Sequence, residues 1–237
     1  MNNSSNHKQQ PQNHDDIFAQ YCTAMVELYG RIPLMKAFEI IQYLNDAQYS
    51  KDEFLDFVLR EKKDRWKHGN PKHFFCFYSP DGIDKPENME ILSDCLEGVC
   101  FDDDTLHDME RYKELSENQK QHSYYIPSKE ELLKYADDSY HPVLPEHQDL
   151  VDWVMNHKTE LPFELTPEEI IAEVSLPLKM ESDYSDAFGS LLKWLDMPEG
   201  EKSFTEASGE LFDLISRVGY NTRMWFLCGY TPEEIGQ

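Results

Sequence analysis

Residues 73–82 have the sequence HFFCFYSPDG, in which an aromatic, β-favouring run leads into a Ser-Pro-Asp-Gly turn. This pattern predicts a strand followed by a turn, and short apolar pieces at 91–92 and 99–101 are its candidate partner strands. The position of the run decides the fold, because three segments with a helical pattern precede it. Three helices followed by a small sheet is the order of a winged helix, so we expect a winged-helix-like N-terminal module.

The three segments before this run carry apolar residues at helical spacing. The first is expected to start at Asp15, with that residue or its neighbour as the cap, and to end at Gly30. Pro33 is expected to open the second helix, since proline is tolerated in a first turn. The third helix should begin at a capping box formed by Ser50 and Glu53.

The second half of the chain is dominated by helical patterns. The stretch 102–122 is strongly charged and nearly free of aliphatic side chains, which favours a linker or an exposed helix. Beyond it, Ser128, Thr166 and Thr231 each stand three residues before a glutamate, as helix N-caps do. Trp225 lies in an aromatic-rich segment and is expected to anchor that segment in the core of a helical bundle.

These patterns predict a mainly α protein, with an N-terminal three-helix winged-helix-like module and a small β-sheet, followed by an all-α helical bundle. The expected organisation is a disordered tail at 1–14, a helical, winged-helix-like domain at 15–122 and an all-helical domain at 123–237. A chain of 237 residues is long enough for two such domains.

The composition limits both the compartment and the partners. The 46 acidic and 22 basic side chains give a net charge of −24, which makes attraction to nucleic acid or anionic lipid unfavourable for the molecule as a whole. Five cysteines without a C-x-x-C pair indicate reduced thiols. The N-terminus is polar, and no stretch approaches the roughly 20 apolar residues that span a bilayer. We therefore expect a cytoplasmic protein without a membrane partner.

The chain carries none of the motifs that place phosphate, dinucleotide, acyl or zinc chemistry. Its nine histidines are not spaced for joint metal ligation and are expected at the surface. Asp104 and Asp108 would share a helical face and could hold a divalent cation, although helix capping is the simpler explanation for aspartates there. We therefore assign no catalytic residue and expect no metal and no cofactor.

One segment departs from the acidic background, and we call residues 60–72 the basic patch. It carries six basic and two acidic side chains, a local net charge of +4. In a winged-helix protein the end of the third helix would contact phosphates, whereas the alternative is that these cations complement the negative end of the helix dipole. The candidate residues for binding nucleic acid or another partner are Arg60, Lys62, Lys63, Arg65, Trp66, Lys67 and Lys72.

Several segments resemble a family of bacterial proteins. They are 27–34 (ELYGRIPL), 124–135 (YYIPSKEELLKY), 221–225 (NTRMW) and 229–234 (GYTPEE). They look like segments of uncharacterised Gram-positive bacterial helical proteins, some of which end in a SEC-C zinc motif. No cysteine-rich tail follows Gln237, so the resemblance implies neither structural zinc nor the zinc-dependent protein contact of that motif. The matching segments contain no known active site and transfer no chemistry.

Three function hypotheses follow from the sequence. The preferred one is a non-enzymatic interaction protein, whose first half binds nucleic acid or a protein through the basic patch while the second half acts as a scaffold. Alternatively, the acidic surface binds a basic protein or imitates nucleic acid. The third is an enzyme whose site is assembled from residues distant in sequence, which a pocket of buried carboxylates or histidines would indicate.

Overall fold

The structure is a computed structural model that describes residues 13–68, 74–83, 85–96, 106–137, 140–158, 165–180, 184–192, 194 and 202–236. The side chains of 65–68, 106–108 and 202–206 are not part of this description. The described residues form a mainly helical protein with a small three-stranded antiparallel sheet, which confirms the predicted secondary-structure class.

The helices and strands alternate only in the first part of the chain. The helices are α1 (His14–Tyr29), α2 (Leu34–Leu44), α3 (Lys51–His68), α4 (Leu106–Gln119), α5 (Lys129–Lys134), α6 (Pro145–His157), α7 (Pro167–Met180), α8 (Ser185–Leu192), α9 (Lys202–Asn221) and α10 (Pro232–Ile235). The strands are β1 (Arg31–Pro33), β2 (Phe75–Tyr78) and β3 (Glu90–Ser93). The described residues after 123 contain helices and connecting segments but no strand, in agreement with the predicted helical second half.

The sheet has the order β1-β3-β2, and β3 pairs antiparallel with both neighbours. The predicted strands around Phe75 and Ile91 are confirmed, whereas the candidate strand at 99–101 lies outside the described residues. The second helix is present but begins one residue later than predicted, because Pro33 ends β1 and is the N-cap residue of α2, which begins at Leu34. Gly30, with a φ of 70°, turns the chain from α1 directly into extended backbone, and a three-residue strand is too short to show an alternating pattern.

The N-terminal core is built around α1. This helix is buried along most of its length because α2, α3, α5 and the sheet all pack against it. Phe18 of α1 makes an edge-to-face contact with Phe54 of α3, with ring centroids 5.3 Å apart, and Ile91 of β3 joins the same cluster. Leu132 and Tyr135 at α5 belong to this core as well.

A second core lies among α6, α7, α8 and α9. Apolar side chains such as Leu150, Ile170, Leu191 and Leu211 meet there, and all four are fully buried. The predicted boundary at 123 concerns independent folding and stays a prediction. In the structure, α5 follows residue 123 in the chain but packs against α1 of the first core. The first buried residue of the second core along the chain is Leu150.

The segment 222–236 runs from the second core back to the first. Trp225 is 1% exposed and packs with Cys76, Leu92 and Tyr112, which belong to the sheet and α4. The predicted burial of Trp225 is therefore confirmed, but its predicted site in the bundle is wrong. The aromatic density of the segment indicates that this tryptophan is buried without showing which core receives it.

A buried polar network joins β1, β3, α4 and segment 222–236. Arg31 of β1 is 6% exposed and makes a bidentate ion pair with Glu90 of β3, in which Nε lies 2.9 Å from Oε2. Gln119 of α4 accepts a hydrogen bond from Arg31 and donates to the carbonyl oxygens of Tyr29 and Trp225, each at 2.7 Å. The stretch predicted as a linker or an exposed helix thus contains a partly buried helix, α4.

Most of the predicted helix caps are confirmed. Ser50 Oγ accepts from the Glu53 amide at 3.2 Å, and Glu53 accepts from the Ser50 amide at 2.9 Å. The predicted cap of α1 is wrong, because the side chain of Asn13, and not that of Asp15, accepts a hydrogen bond in the first turn. The other confirmed caps are Ser128, Thr166 and Thr231.

The cysteines differ from the prediction at one position. Cys76 is disulfide-bonded, which contradicts the expected reduced thiols, whereas Cys22, Cys95 and Cys228 are free. Disulfide partners are set by distance in the fold, and chain spacing outside short motifs does not reveal them. None of the described helices combines the length and apolarity that a bilayer crossing requires.

Candidate functional site

The basic patch lies at the end of α3, beside the loop that joins β2 to β3. Lys62 Nζ is 3.3 Å from Ser79 Oγ, the first residue of that loop. Arg60 makes an ion pair with Asp15 of α1, with 2.6 Å between guanidinium and carboxylate, so its charge is partly compensated. Lys63 is exposed. The structure thus brings one residue of the patch, Lys62, against the β2–β3 loop.

The other four candidate residues of the patch are not tested by the structure. The backbones of Arg65, Trp66 and Lys67 continue α3, but their side chains lie outside the described part. Lys72 lies outside the described residues altogether. Binding by these four residues stays a prediction.

α3 and the β2–β3 loop also carry exposed apolar and acidic side chains. Leu59, one turn before Lys63 on α3, is 55% exposed, and Ile83 in the β2–β3 loop is 49% exposed. The exposed face at the start of α3 carries acidic side chains, among them Asp52 and Asp56. The surface near the patch is therefore mixed in charge and partly apolar.

A second candidate site is a cavity of about 180 Å³ between the two cores. One wall is formed by α1 and α5, which pack together, and a second wall by α6 and α7. The end of α9 and segment 222–236 complete the lining. We call it the polar cavity, because charged and ionisable side chains line it: Glu27, Glu131, His147, Lys179 and Arg223.

The two walls of the polar cavity meet at an ion pair. Lys179 of α7 is 5% exposed, and its Nζ lies 3.4 Å from Glu27 Oε2 of α1. Trp225 holds both backbones, because its amide donates to the Lys179 carbonyl at 2.9 Å and its indole Nε1 donates to the Glu27 carbonyl at 3.0 Å. These two hydrogen bonds of Trp225 hold the backbones that carry the Lys179–Glu27 ion pair.

His147 lines the cavity from the first turn of α6. It is 5% exposed, so the predicted surface location of the histidines is wrong here, and burial lowers its pKa. Its Nδ1 accepts a hydrogen bond from the Leu144 amide at 3.3 Å, which leaves Nε2–H as the donor of the neutral ring. Nearby His141 has a pKa lowered by burial and by the charge of Lys179.

Arg223 forms the side of the polar cavity next to α10. Its guanidinium stacks on the ring of Tyr125 at 3.6 Å and bonds to Glu234, with Nη1 3.0 Å from Oε2. The Tyr125 hydroxyl in turn lies 3.4 Å from Glu131 Oε1. Glu131 therefore has a weakly held carboxylate, while Arg223 already has a carboxylate partner.

The hydroxyl groups of the cavity are not arranged as activated nucleophiles. Ser175 donates to the Ile171 carbonyl of its own helix at 2.7 Å, and Thr222, which follows the last residue of α9, donates to the Val218 carbonyl of that helix at 2.8 Å. A serine or threonine nucleophile instead gives its proton to a neighbouring base. Ser175 and Thr222 therefore do not form a nucleophile–base pair in this structure.

Sequence reasoning missed the polar cavity because its residues come from five distant segments. Glu27 and Lys179 are 152 positions apart. One signal was present, since a lysine among the apolar residues of α7 and a glutamate in the apolar pattern of α1 are unusual in buried positions. Within the described residues, no three His, Cys, Asp or Glu side chains form a metal-binding group, and the aspartates 102–104 lie outside them.

Comparison of the chain with protein-family models, with curated proteins and with solved structures gives no match. The resemblance to Gram-positive bacterial proteins related to those with a SEC-C motif therefore stays a prediction.

Proposed function

We propose that this protein is a non-enzymatic interaction protein that binds an acidic partner through the basic patch of a winged-helix module. The element order α1-β1-α2-α3-β2-β3 and the sheet order β1-β3-β2 support the winged-helix assignment. The observation that carries the proposal is the contact of 3.3 Å between Lys62 and Ser79, which joins the end of α3 to the β2–β3 loop. Helix and loop thus offer one continuous surface.

A protein is the favoured partner. Leu59 on α3 and Ile83 in the loop that Lys62 contacts are each about half exposed, and apolar contacts are typical of the cores of protein interfaces. Asp52 and Asp56 on the exposed face of α3, together with the net charge of −24, oppose any acidic partner, and the repulsion is strongest for a nucleic-acid backbone, which carries a negative charge on every phosphate. An acidic, partly apolar protein surface matches this arrangement better than a nucleic-acid backbone does.

Nucleic acid is the second candidate, and the net charge of +4 over residues 60–72 favours it. Phosphate contacts by a few lysines and arginines would give binding that weakens steeply as salt increases. This version is tested by fluorescence anisotropy with labelled duplex DNA and with single-stranded RNA at about 50 mM salt.

The protein version is tested by replacing Leu59 with a photo-crosslinking amino acid in cells that express the protein naturally. A partner should crosslink from position 59 but not from position 43, where Tyr43 on α2 is 73% exposed. The variant K62E/K63E should abolish that crosslink, because it reverses two charges of the surface. The matched control K51E, at the start of the same helix, should retain it.

The possible results separate the two partners. A crosslink from position 59 that disappears in K62E/K63E supports the protein version. Salt-sensitive binding of DNA or RNA that disappears in the same variant supports the nucleic-acid version. If neither is observed, or if both persist in K62E/K63E, the basic patch is not a binding surface and the proposal is wrong.

A further inference from the structure

The polar cavity has no role in binding through the basic patch, and its chemistry indicates a separate ligand. It lies between the two cores and combines a buried lysine and partly buried charged groups with enough space for a small molecule. A buried ion is stable only when its hydrogen bonds are satisfied and its charge is paired. The hydrogen-bond donors and carboxylate oxygens of the lining that can still accept a partner therefore indicate which charged groups the ligand must carry.

Hydrogen-bond donors come from the α6–α7 wall. The Lys179 ammonium has three N–H donors, and its contact with Glu27 at 3.4 Å can use only one of them. That distance is also longer than the 2.7–2.9 Å that is usual for ammonium–carboxylate bonds. His147 adds its Nε2–H, since its Nδ1 already accepts from the backbone. A ligand that binds here must present strong acceptors, and a carboxylate is the group that fits best.

The carboxylates that line the polar cavity come from α1 and α5. Glu131 of α5 has one oxygen near the Tyr125 hydroxyl at 3.4 Å, which is a weak contact, and Glu27 shares only one oxygen with Lys179. These acceptors suit an ammonium group of the ligand. Donors on one wall and carboxylates on the other therefore require a ligand that carries both charges.

The charge balance excludes simpler ions. Two carboxylates, Glu27 and Glu131, face two cations, Lys179 and Arg223, and Arg223 is already paired with Glu234. A simple anion would add negative charge to a lining that is balanced or slightly negative, and a simple cation would leave the Lys179 donors without acceptors. A zwitterion satisfies both walls without adding net charge.

The volume limits the size of the ligand. An engineered apolar cavity of about 150 Å³ holds benzene, so a cavity of about 180 Å³ has room for roughly eight non-hydrogen atoms. Leu28, Leu144 and Tyr135 supply an apolar part of the lining. We propose that the polar cavity binds a small α-amino acid, with its carboxylate at Lys179 and His147 and its ammonium group at Glu131.

The test uses the full chain and a matched set of probes. L-valine carries both charges, isovalerate lacks the amine and isobutylamine lacks the carboxylate, whereas L-tryptophan exceeds the volume. Binding is measured by thermal shift and by isothermal titration calorimetry, with each probe at up to about 10 mM. We expect L-valine or another small amino acid, such as L-threonine or L-alanine, to bind at least about tenfold more tightly than isovalerate or isobutylamine. L-tryptophan should not bind.

Two variants assign binding to the cavity. Glu131→Gln keeps the shape of the side chain and removes its charge, and it should weaken amino-acid binding at least about tenfold. Glu130→Gln is the matched control, because Glu130 neighbours Glu131 on α5 but is exposed and outside the lining. Lys179→Met should abolish binding, and Glu131→Gln keeps the test decisive if loss of the buried ammonium unfolds the protein.

Three results would overturn the proposal. The first is that no amino acid of up to about eight non-hydrogen atoms changes the melting temperature or gives heat of binding. The second is that isovalerate or isobutylamine binds as tightly as L-valine, since one charge would then be enough. The third is equal binding by Glu131→Gln and Glu130→Gln. None of these results depends on the basic patch, so this proposal and the proposed function can fail separately.

Discussion

At the residue scale, a few side chains with unusual environments determine how the two cores meet. Trp225 donates hydrogen bonds to the backbones of Glu27 and Lys179, and its ring lies against Gly30. The sequence predicted that Trp225 is buried, but it could not predict these partners because they are far away in the chain. The polar cavity depends on this contact, since Glu27 and Lys179 form its ion pair.

Gly30→Ala should destabilise the protein by at least about 2 kcal/mol, measured by urea denaturation. A Cβ at position 30 would lie 2.4 Å from the Trp225 ring, and the φ of 70° is unfavourable for alanine. The matched control is Gly82→Ala, which has the same φ of 70° but no atom within 4 Å of the added Cβ. It should cost about 1 kcal/mol. Equal losses in the two variants would mean that the Trp225 ring moves aside freely.

His147→Gln should change the pH dependence of stability. Burial lowers the pKa of His147 in the folded state, whereas the unfolded chain takes up a proton near pH 6.5. The contribution of this histidine is therefore present above about pH 6.5 and is lost as the pH falls below that value. The difference in free energy of unfolding between the wild type and His147→Gln should shrink between about pH 7.5 and pH 5.5. If the difference in free energy of unfolding stays constant or widens over this pH range, the prediction is wrong.

At the scale of elements, local signals predicted helix starts well and predicted pairings poorly. The Ser50–Glu53 box is present as expected, because a cap depends on residues within one turn. Strand β1 was missed because its stability comes from pairing with β3, some sixty positions away, and from the Arg31–Glu90 ion pair. The polar cavity was missed for the same reason, since Glu27 and Lys179 meet only in the folded protein.

Glu90→Ala should destabilise the protein by about 3–5 kcal/mol, because it leaves the guanidinium of Arg31 buried without its carboxylate. The double variant R31M/E90L should be clearly more stable than Glu90→Ala, since it removes both charges. Chemical denaturation of the three proteins provides the comparison. Glu39→Ala is the control, because it breaks an exposed ion pair with Lys36 and should have little effect. A Glu90→Ala variant as stable as the control would show that solvent reaches Arg31.

At the scale of the whole molecule, the mainly helical class was predictable, and the path of the chain between its two cores was not. Helical spacing shows that a segment has a buried face, but it does not show which core receives that face. Segment 222–236 follows the bundle in sequence and packs on the sheet and α4. The basic patch was visible in the sequence because it is a local departure from a strongly acidic composition.

Added salt should stabilise this protein. The net charge of −24 gives the folded chain strong self-repulsion, which dissolved ions screen. We expect the melting temperature, measured by differential scanning calorimetry, to rise by several degrees between about 20 mM and 500 mM sodium chloride. A falling melting temperature would mean that attractive ion pairs outweigh the repulsion.

The contact between Trp225 and Glu27 spans 198 positions of the chain, and this has a consequence for biosynthesis. A ribosome adds Glu27 to the chain 198 positions before it adds Trp225, whose ring covers Gly30. While the residues between them are translated, the nascent chain therefore lacks the ring that covers this end of α1. Chaperones that protect nascent chains would find their binding surface there.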